Sequence, residues 1–307
     1  MTMSSYRDEV HRLVLGTLWS LWAELGLSGW ERWHPETAVD LEALILATAR
    51  GGKSDPRLLE ESLDWCVSNG RIASAVRLKH LVGTADVAIK HALGRFAATV
   101  NAHAPLSWPS YAEPGSRYTR TGRSTPPDLS RPSLVQLRLR ALWGVNSRAE
   151  VLRVMLPEHG RFMGVTEIAL AAGYGKDAVS DALDNLQRGG LLARAGQTNQ
   201  HQYRLLREHE LLALVGPLPT RIVDWVLVLP VMVGMLEAAD VPEMPILARA
   251  SELFRRYREW QPSLARMGMT AWPQAVGEEA PAAFEGWSLA ALRHWAGQAP
   301  STRSALP

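Results

Sequence analysis

Cysteine is nearly absent from this sequence, which contains Cys66 alone among its 307 residues. A single thiol cannot form a disulfide within the chain. The sequence also begins without the positively charged and then apolar stretch that is typical of a secretory signal. We therefore expect the protein to be cytoplasmic.

Long apolar runs are scarce as well. The longest covers residues 222–240, and it contains Asp224 near its start and Pro230 near its middle. A membrane-spanning helix needs about twenty predominantly apolar residues, which this run does not supply. We expect it to form a buried helix, and we expect no membrane partner.

The sequence also lacks the short motifs of common catalytic sites. It has no GxxxxGK[ST] phosphate loop, no HExxH, no GxSxG, no CxxC, and no GxGxxG after a strand. Each of these motifs places reactive or phosphate-binding groups at a spacing that the chemistry requires. The expectation is a protein that is not an enzyme and that uses neither a cofactor nor a metal.

Signals for β-strands are confined to one hairpin, whereas most of the chain shows apolar residues at helical spacing. The predicted fold class is therefore mainly α. We divide the chain into a helical N-terminal domain (1–104), a linker rich in proline and arginine (105–132), a central unit (133–206), a helical C-terminal domain (207–296) and a flexible tail (297–307).

The N-terminal domain contains a helix whose start is clearly marked, with Asp55 as the N-cap and Pro56 at the first helical position. Its acids Glu60, Glu61 and Asp64 are interpreted as a solvated helix face. Five basic residues nearby are interpreted as an exposed, solubilising strip, with a second, degenerate DNA-binding unit as the alternative. They are Arg71, Arg77, Lys79, Lys90 and Arg95.

The central unit carries the most specific pattern. Val151, Leu152 and Met155 recur at helical spacing, and Pro157 ends the first helix that they predict. A second, short helix opens at Thr166. A close helix-helix corner is expected between this second helix and the third.

The second helix is followed by the glycines that such a corner requires, Gly173 and Gly175. A third helix is predicted over residues 176–188. Its apolar stripe, which packs on the first two helices, has members at positions i, i+4 and i+7. They are Val179, Leu183 and Leu186.

Two short strands, 191–195 and 201–205, then flank the sequence GQTNQ and predict a hairpin. Gly196 and Asn199 are the residues in this turn that tolerate a positive φ. Three helices, a glycine turn and a hairpin in this order resemble the ArsR/MarR-like class of bacterial winged-helix regulators. The resemblance covers about a quarter of the chain.

This resemblance implies that the central unit is a winged helix-turn-helix. The helix 176–188 would enter the major groove of DNA, and the hairpin, or wing, would lie along the adjacent backbone or minor groove. Metal-sensing members of the class use cysteine-rich ligand sets, which Cys66 alone cannot supply. The predicted function is a DNA-binding transcriptional regulator that acts as a repressor on double-stranded DNA.

A homodimer is also expected, because one winged helix covers one half-site and most operators are two-fold symmetric. The tryptophan-rich N-terminal helices or the apolar C-terminal helix would supply the dimer contact. The candidate DNA-binding residues lie on the second and third helices and on the wing. They are Thr166, Tyr174, Lys176, Ser180, Arg188, Arg194, Thr198, Asn199, Gln200, His201 and Arg204.

The charge distribution agrees with this assignment. Residues 104–206 contain thirteen Lys or Arg against eight acids, whereas the whole chain has a net charge of +2. The basic excess therefore lies on the central unit and its leading linker, as contact with nucleic acid requires. The linker arginines, with Tyr111 and Tyr118, are candidates for phosphate contact. The alternative is a plain extended linker.

The third helix also carries acids that oppose a phosphate contact. Asp177, Asp181 and Asp184 are set against Lys176 and Arg188. This acidic face leaves open an adaptor that binds a basic protein partner. A further alternative is an antitoxin-like repressor, since abortive-infection antitoxins similarly combine a winged helix with a separate larger domain.

Overall fold

The computed structural model describes residues 3–83, 87–196, 201–269 and 275–297. The described part of the chain is mainly helical and contains a small antiparallel sheet of three strands, which confirms the predicted fold class at this level. The first helices are α1 (Met3–Glu24), α2 (Leu41–Gly51), α3 (Pro56–Asn69), α4 (Ala75–Gly83) and α5 (Val87–His103).

Further helices and the three strands of the sheet follow in the rest of the chain. The helices are α6 (Val135–Trp143), α7 (Ser147–Met155), α8 (Val165–Ala172), α9 (Lys176–Arg188), α10 (Glu208–Val215), α11 (Trp225–Ala239), α12 (Ile246–Arg266) and α13 (Ala280–Trp295). The strands are β1 (Met163–Gly164), β2 (Leu192–Ala195) and β3 (Gln202–Leu205).

Several helices begin where a side chain caps the first free N–H groups. The carboxylate of Asp55 accepts from Leu58 N at 3.0 Å at the start of α3, as the sequence predicts. Asp40 caps α2 in the same way, accepting from Ala43 N at 3.1 Å. Asn146 caps α7. These three helices therefore have fixed starting points.

The larger of two hydrophobic cores is built from both ends of the chain. Side chains of α1–α5 pack with those of α11–α13, and Trp22, Trp65 and Trp225 are among its fully buried members. The N-terminal and C-terminal helical segments, expected as two domains, thus share one core. Among the described residues, no helix is long and apolar enough to span a membrane.

Helix α11 lies inside this core, which confirms that the apolar run is a buried helix. It packs against α1, α2 and α12. Because its side chains are covered by these neighbours, α11 is not free to supply the dimer contact expected of it.

The smaller core belongs to the central unit together with α10. Helices α7, α8 and α9 pack on one another, and the sheet has the order β1-β3-β2. Met163 pairs with Tyr203, and Leu192 pairs with Leu205. The hairpin strands are the predicted ones, whereas β1 is an additional two-residue strand.

The segment 105–131 lacks helix and strand, but it is not a plain linker. Trp108 is buried, and the segment folds along α3, where Asp64 accepts from Tyr118 Oη and Thr121 N, each at 2.8 Å. Asp64 is therefore a buried anchor, and the interpretation of it as solvated is wrong. Burial raises the pKa of this carboxyl, but the hydrogen bonds outweigh that effect and hold it well below its usual range.

Candidate nucleic-acid interface

Helix α9 is amphipathic, and its apolar stripe faces the smaller core. Val179, Leu183 and Leu186 are all buried there, as their spacing predicts. The helix packs on α7, α8 and β2 and makes no extensive contact with the helices of the larger core. Its polar face is therefore left at the surface.

Lys176, Asp177, Asp181 and Arg188 are exposed on this polar face, and Ser180 is half-buried. Within the described ranges, none of the four charged side chains has an ion-pair partner. The helix begins after the exposed Gly175, with no side chain capping its first turn in the described structure. The first N–H groups of α9 are accordingly accessible to an anion.

The turn before α9 depends on glycine. Gly173 has a φ of 69°, in the left-handed region that favours glycine. A Cβ atom at this position would lie 3.0 Å from Arg77 Nε and 3.1 Å from Leu81 Cδ2. The turn thus lies directly against α4 of the larger core.

The hairpin contacts α9 through Asp184. Tyr203 is buried and its hydroxyl donates to Asp184 Oδ1 at 3.1 Å, while Arg194 Nη1 lies 3.9 Å from the same oxygen. Asp184 therefore joins the helix to the wing strands. Two of the three acids that the sequence places on this face, Asp177 and Asp181, remain without such a contact among the described residues.

The remaining candidate residues lie at different depths. Thr166 and Arg204 are exposed, and the Arg204 guanidinium lies 5.2 Å from the centre of the Phe162 ring. His201 is half-buried. Thr198, Asn199 and Gln200 lie outside the residues that the structure describes.

Tyr174 does not belong to this surface, and its assignment as a DNA-binding residue is wrong. It is 5% exposed, and its hydroxyl lies 2.6 Å from Ser74 Oγ at the start of α4. The apolar ring contributes to the smaller core while the hydroxyl finds a polar partner in the other core. Its function is to fix the glycine turn against α4.

Beneath this turn, the two cores meet at a group of buried charges, here called the charge cluster. It contains three carboxylates and three guanidiniums, so its net charge is zero. The members are Asp40, Glu42, Arg77, Arg140, Glu150 and Arg153. They come from α4, α6, α7 and the start of α2, and they therefore join the larger core to the central unit.

Arg77 is the most completely buried cation, with no exposed side-chain surface. Its Nη2 donates to Asp40 Oδ2 at 2.6 Å, its Nη1 to Glu42 Oε2 at 2.8 Å, and its Nε to the carbonyl of Ala172 at 2.7 Å. The last bond reaches the end of α8. Arg77 is thus wrongly interpreted from the sequence as part of an exposed strip.

Arg140 completes the bridge from the side of the central unit. It donates to both oxygens of Glu42 at 2.7 Å and to Glu150 Oε1 at 2.6 Å. Burial alone raises the pKa values of Asp40 and Glu150, but the neighbouring guanidiniums reverse this and lower both below their usual range. Asp40 and Glu150 therefore stay ionised at neutral pH.

Sequence reasoning missed the charge cluster, although one signal was present. Glu42 interrupts an otherwise apolar helix, LEALILA, and a charge at such a position needs a buried partner.

Comparison of the chain with models of known families, with curated proteins and with solved structures finds no match.

Proposed function

We propose that this protein is a DNA-binding transcriptional regulator whose central unit is a winged helix-turn-helix. The observation that carries the proposal is the solvent-exposed polar face of α9, which follows a tight glycine turn and lies beside a hairpin. In a winged helix this is the helix that enters the major groove. The protein would act in the cytoplasm as a repressor.

Contacts to DNA would then be divided between α9 and the wing. Lys176 and Ser180 lie on the first two turns of α9, from which base edges are reached, and Arg188 lies at its end. On the wing, Arg194 and Arg204 are exposed and no described residue of β2 or β3 is acidic. These arginines suit the phosphate backbone, which supplies most of the affinity and fixes the register of the protein.

The larger core contributes rigidity. Arg77 and Ser74 hold the end of α8 and the start of the glycine turn, and a groove contact needs helices whose orientation is fixed. We propose that the charge cluster positions α8 and α9 without touching DNA.

The proposal is tested with a fluorescently labelled DNA duplex of generic sequence. Changing Arg194→Ala together with Arg204→Ala is expected to weaken binding to every sequence, because two cations near phosphate are lost. The slope of log affinity against log salt should fall by up to about two, since each lost phosphate contact removes about one. Fluorescence anisotropy over a range of salt concentrations measures both.

The matched control removes two exposed cations outside the central unit, Arg258→Ala together with Lys79→Ala. This variant has the same net charge as the wing variant, and it should retain the affinity and the slope of the parent. If the two variants bind alike, the wing is not a DNA contact. If the parent protein binds no duplex at any salt concentration, the regulator proposal fails as a whole.

One observation favours a second candidate function, a protein adaptor. Asp177 and Asp181 are exposed and have no ion-pair partner in the described structure, so they suit a basic protein surface as well as they oppose a phosphate. An antitoxin-like repressor would combine the two functions, with DNA on the wing and a protein partner on the acidic face.

We further propose that the regulator is a homodimer. Trp30 is 43% exposed and stacks on Trp19 with 5.8 Å between the ring centres. An exposed tryptophan on a buried one is typical of an interface anchor. Since α11 is buried, the tryptophan-rich N-terminal region is the candidate dimer contact.

A further inference from the structure

A cavity of about 240 Å³ lies between α2 and α11, and residues of α4, α5 and α12 also line it. Most of its wall is aliphatic. Leu46, Ala47, Ile89, Leu227 and Val233 are among the side chains that form it. A largely aliphatic wall of this kind suits the apolar part of a small ligand.

Small residues on α2 keep the cavity open. Ala43 and Ala47 are one turn apart, both are buried, and both line the cavity. On the opposite wall, Pro230 interrupts α11 and has no N–H to donate to the carbonyl of Val226, which also lines the cavity. Larger side chains at the two alanines would fill the space.

The charged residues that line the cavity in the described part of the chain are both arginines. Arg50 and Arg266 line it, Ser263 adds a hydroxyl, and no acid is among its described lining residues. Arg50 is held by Glu237, to which its Nη2 donates at 2.7 Å. Arg266 is exposed and makes no close ion pair within the described part of the chain, although the carboxylate of Asp224 is near enough to interact with its charge.

We infer that this cavity binds a small amphipathic monocarboxylate, with the apolar body between α2 and α11 and the carboxylate on the guanidinium of Arg266. A guanidinium binds a carboxylate through two parallel hydrogen bonds, a geometry that a neutral head group cannot match. A cavity of about 150 Å³ holds benzene, so this one holds about ten non-hydrogen atoms. Binding of this ligand does not depend on the proposed DNA contact.

Octanoate is a suitable probe, since its acyl chain and carboxylate match the cavity in size and charge. Octanamide has the same shape without the charge. Isothermal titration calorimetry on the full chain should show one site for octanoate, with an affinity at least about tenfold higher than for octanamide. Arg266→Gln should remove this difference while leaving octanamide binding unchanged.

Two further variants separate ligand binding from folding. Ala47→Leu places a larger side chain in the cavity and should weaken both probes alike, with circular dichroism used to verify the helical fold. Arg258→Gln removes a neighbouring exposed guanidinium of α12 that does not line the cavity, and it should bind octanoate as the parent does. Equal affinity for the two probes, an unaltered Arg266→Gln variant, or the lack of saturable binding would each overturn the inference.

Discussion

At the scale of single residues, we expect the loss of Arg77 to destabilise the fold strongly. It is fully buried, and it contacts two carboxylates and the last carbonyl of α8. A buried ion pair need not stabilise a protein relative to a well-packed apolar pair. Removing one partner is different, because the charges that remain have lost their compensation.

We therefore expect Arg77→Met to lower the free energy of unfolding by about 3–5 kcal/mol, since it leaves Asp40 and Glu42 with one guanidinium fewer. Urea denaturation followed by circular dichroism measures this difference. Lys79→Met is the matched control, because Lys79 is exposed on the same helix, and it should change stability by less than about 0.5 kcal/mol. Similar values for the two variants would mean that the cluster is not needed for stability.

The lowered pKa of His34 is expected to make the stability of the protein depend on pH. Burial, assisted by the positive charge of Arg221, lowers the pKa of His34 to about 4, although a backbone group of Trp295 acts in the opposite direction. The unfolded chain thus binds this proton more readily than the folded one. Its contribution is fully present above the unfolded pKa of about 6.5 and is lost as the pH falls from there towards 4.

Between pH 6.5 and 5 the free energy of unfolding should fall by about 2 kcal/mol through His34, since each pH unit corresponds to about 1.4 kcal/mol. Urea titrations at several pH values measure the slope. His34→Asn, which keeps a polar group near Ser20 Oγ, should make that slope shallower even if the variant is less stable overall. His80→Asn, at an exposed site, should leave it unchanged. A slope unaffected by His34→Asn would contradict the assignment.

The residues that sequence reasoning misplaced share a physical cause. Arg77 and Tyr174 each have a polar end on an apolar body, and local spacing cannot reveal where the polar end finds a partner. The partner of Tyr174 is Ser74, 100 residues away, and Arg77 reaches Asp40 over 37 residues. Long-range pairing of this kind leaves no mark in the flanking sequence.

At the scale of elements, helices α7, α8 and α9 were predictable because their signals are local. Apolar spacing, Pro157 and the glycines of the turn mark the beginning and end of each helix. Strand β1 was not predictable, since its two residues are too few to alternate and it exists only by pairing with β3. The path of segment 105–131 depends on Asp64, which lies on another element.

The exposed face of α9 separates the two candidate functions. Asp181 lies outside the buried apolar stripe of α9, so the variant Asp181→Lys should keep the fold. If α9 enters the groove, non-specific affinity for duplex DNA should rise, because a cation replaces an anion near phosphate. If the face binds a basic protein instead, the same change places like charges together and weakens that complex.

Anisotropy with generic duplex and pull-down from the native host measure the two outcomes. Glu278→Lys, which makes the same charge change at an exposed site on another element, is the control for a general electrostatic effect. A gain on DNA that is specific to Asp181→Lys supports the regulator. Loss of a captured protein without any gain on DNA supports the adaptor.

At the scale of the whole molecule, the larger core brings the N-terminal and C-terminal helices into contact. Helix α1 packs against both α11 and α13, so the first and last helical segments fold together. Sequence patterns show that each of these helices has an apolar face, but they do not show which faces meet. The expected division into two helical domains followed from chain order alone.

The oligomeric state is a further test at this scale. For a homodimer, sedimentation equilibrium should give a mass of about twice the chain mass of 33.9 kDa. Trp30→Ala should shift the equilibrium towards the monomer, because a large exposed apolar contact is removed. Tyr111→Ala, at a similarly exposed aromatic residue, is the control. A mass near that of one chain at every concentration would exclude the dimer.

The charge cluster also decides whether the central unit is a portable module. Arg140, Glu150 and Arg153 belong to that unit, whereas Asp40, Glu42 and Arg77 come from elsewhere in the chain. If the unit were excised, Arg140 and Glu150 would lose their ion-pair partners in the rest of the chain. The apolar side chains of Leu134 and Leu137, which pack in the larger core, would become exposed. The two cores therefore depend on each other for stability. If residues 133–206 were grafted onto another protein, compensating charges would have to be added to the graft.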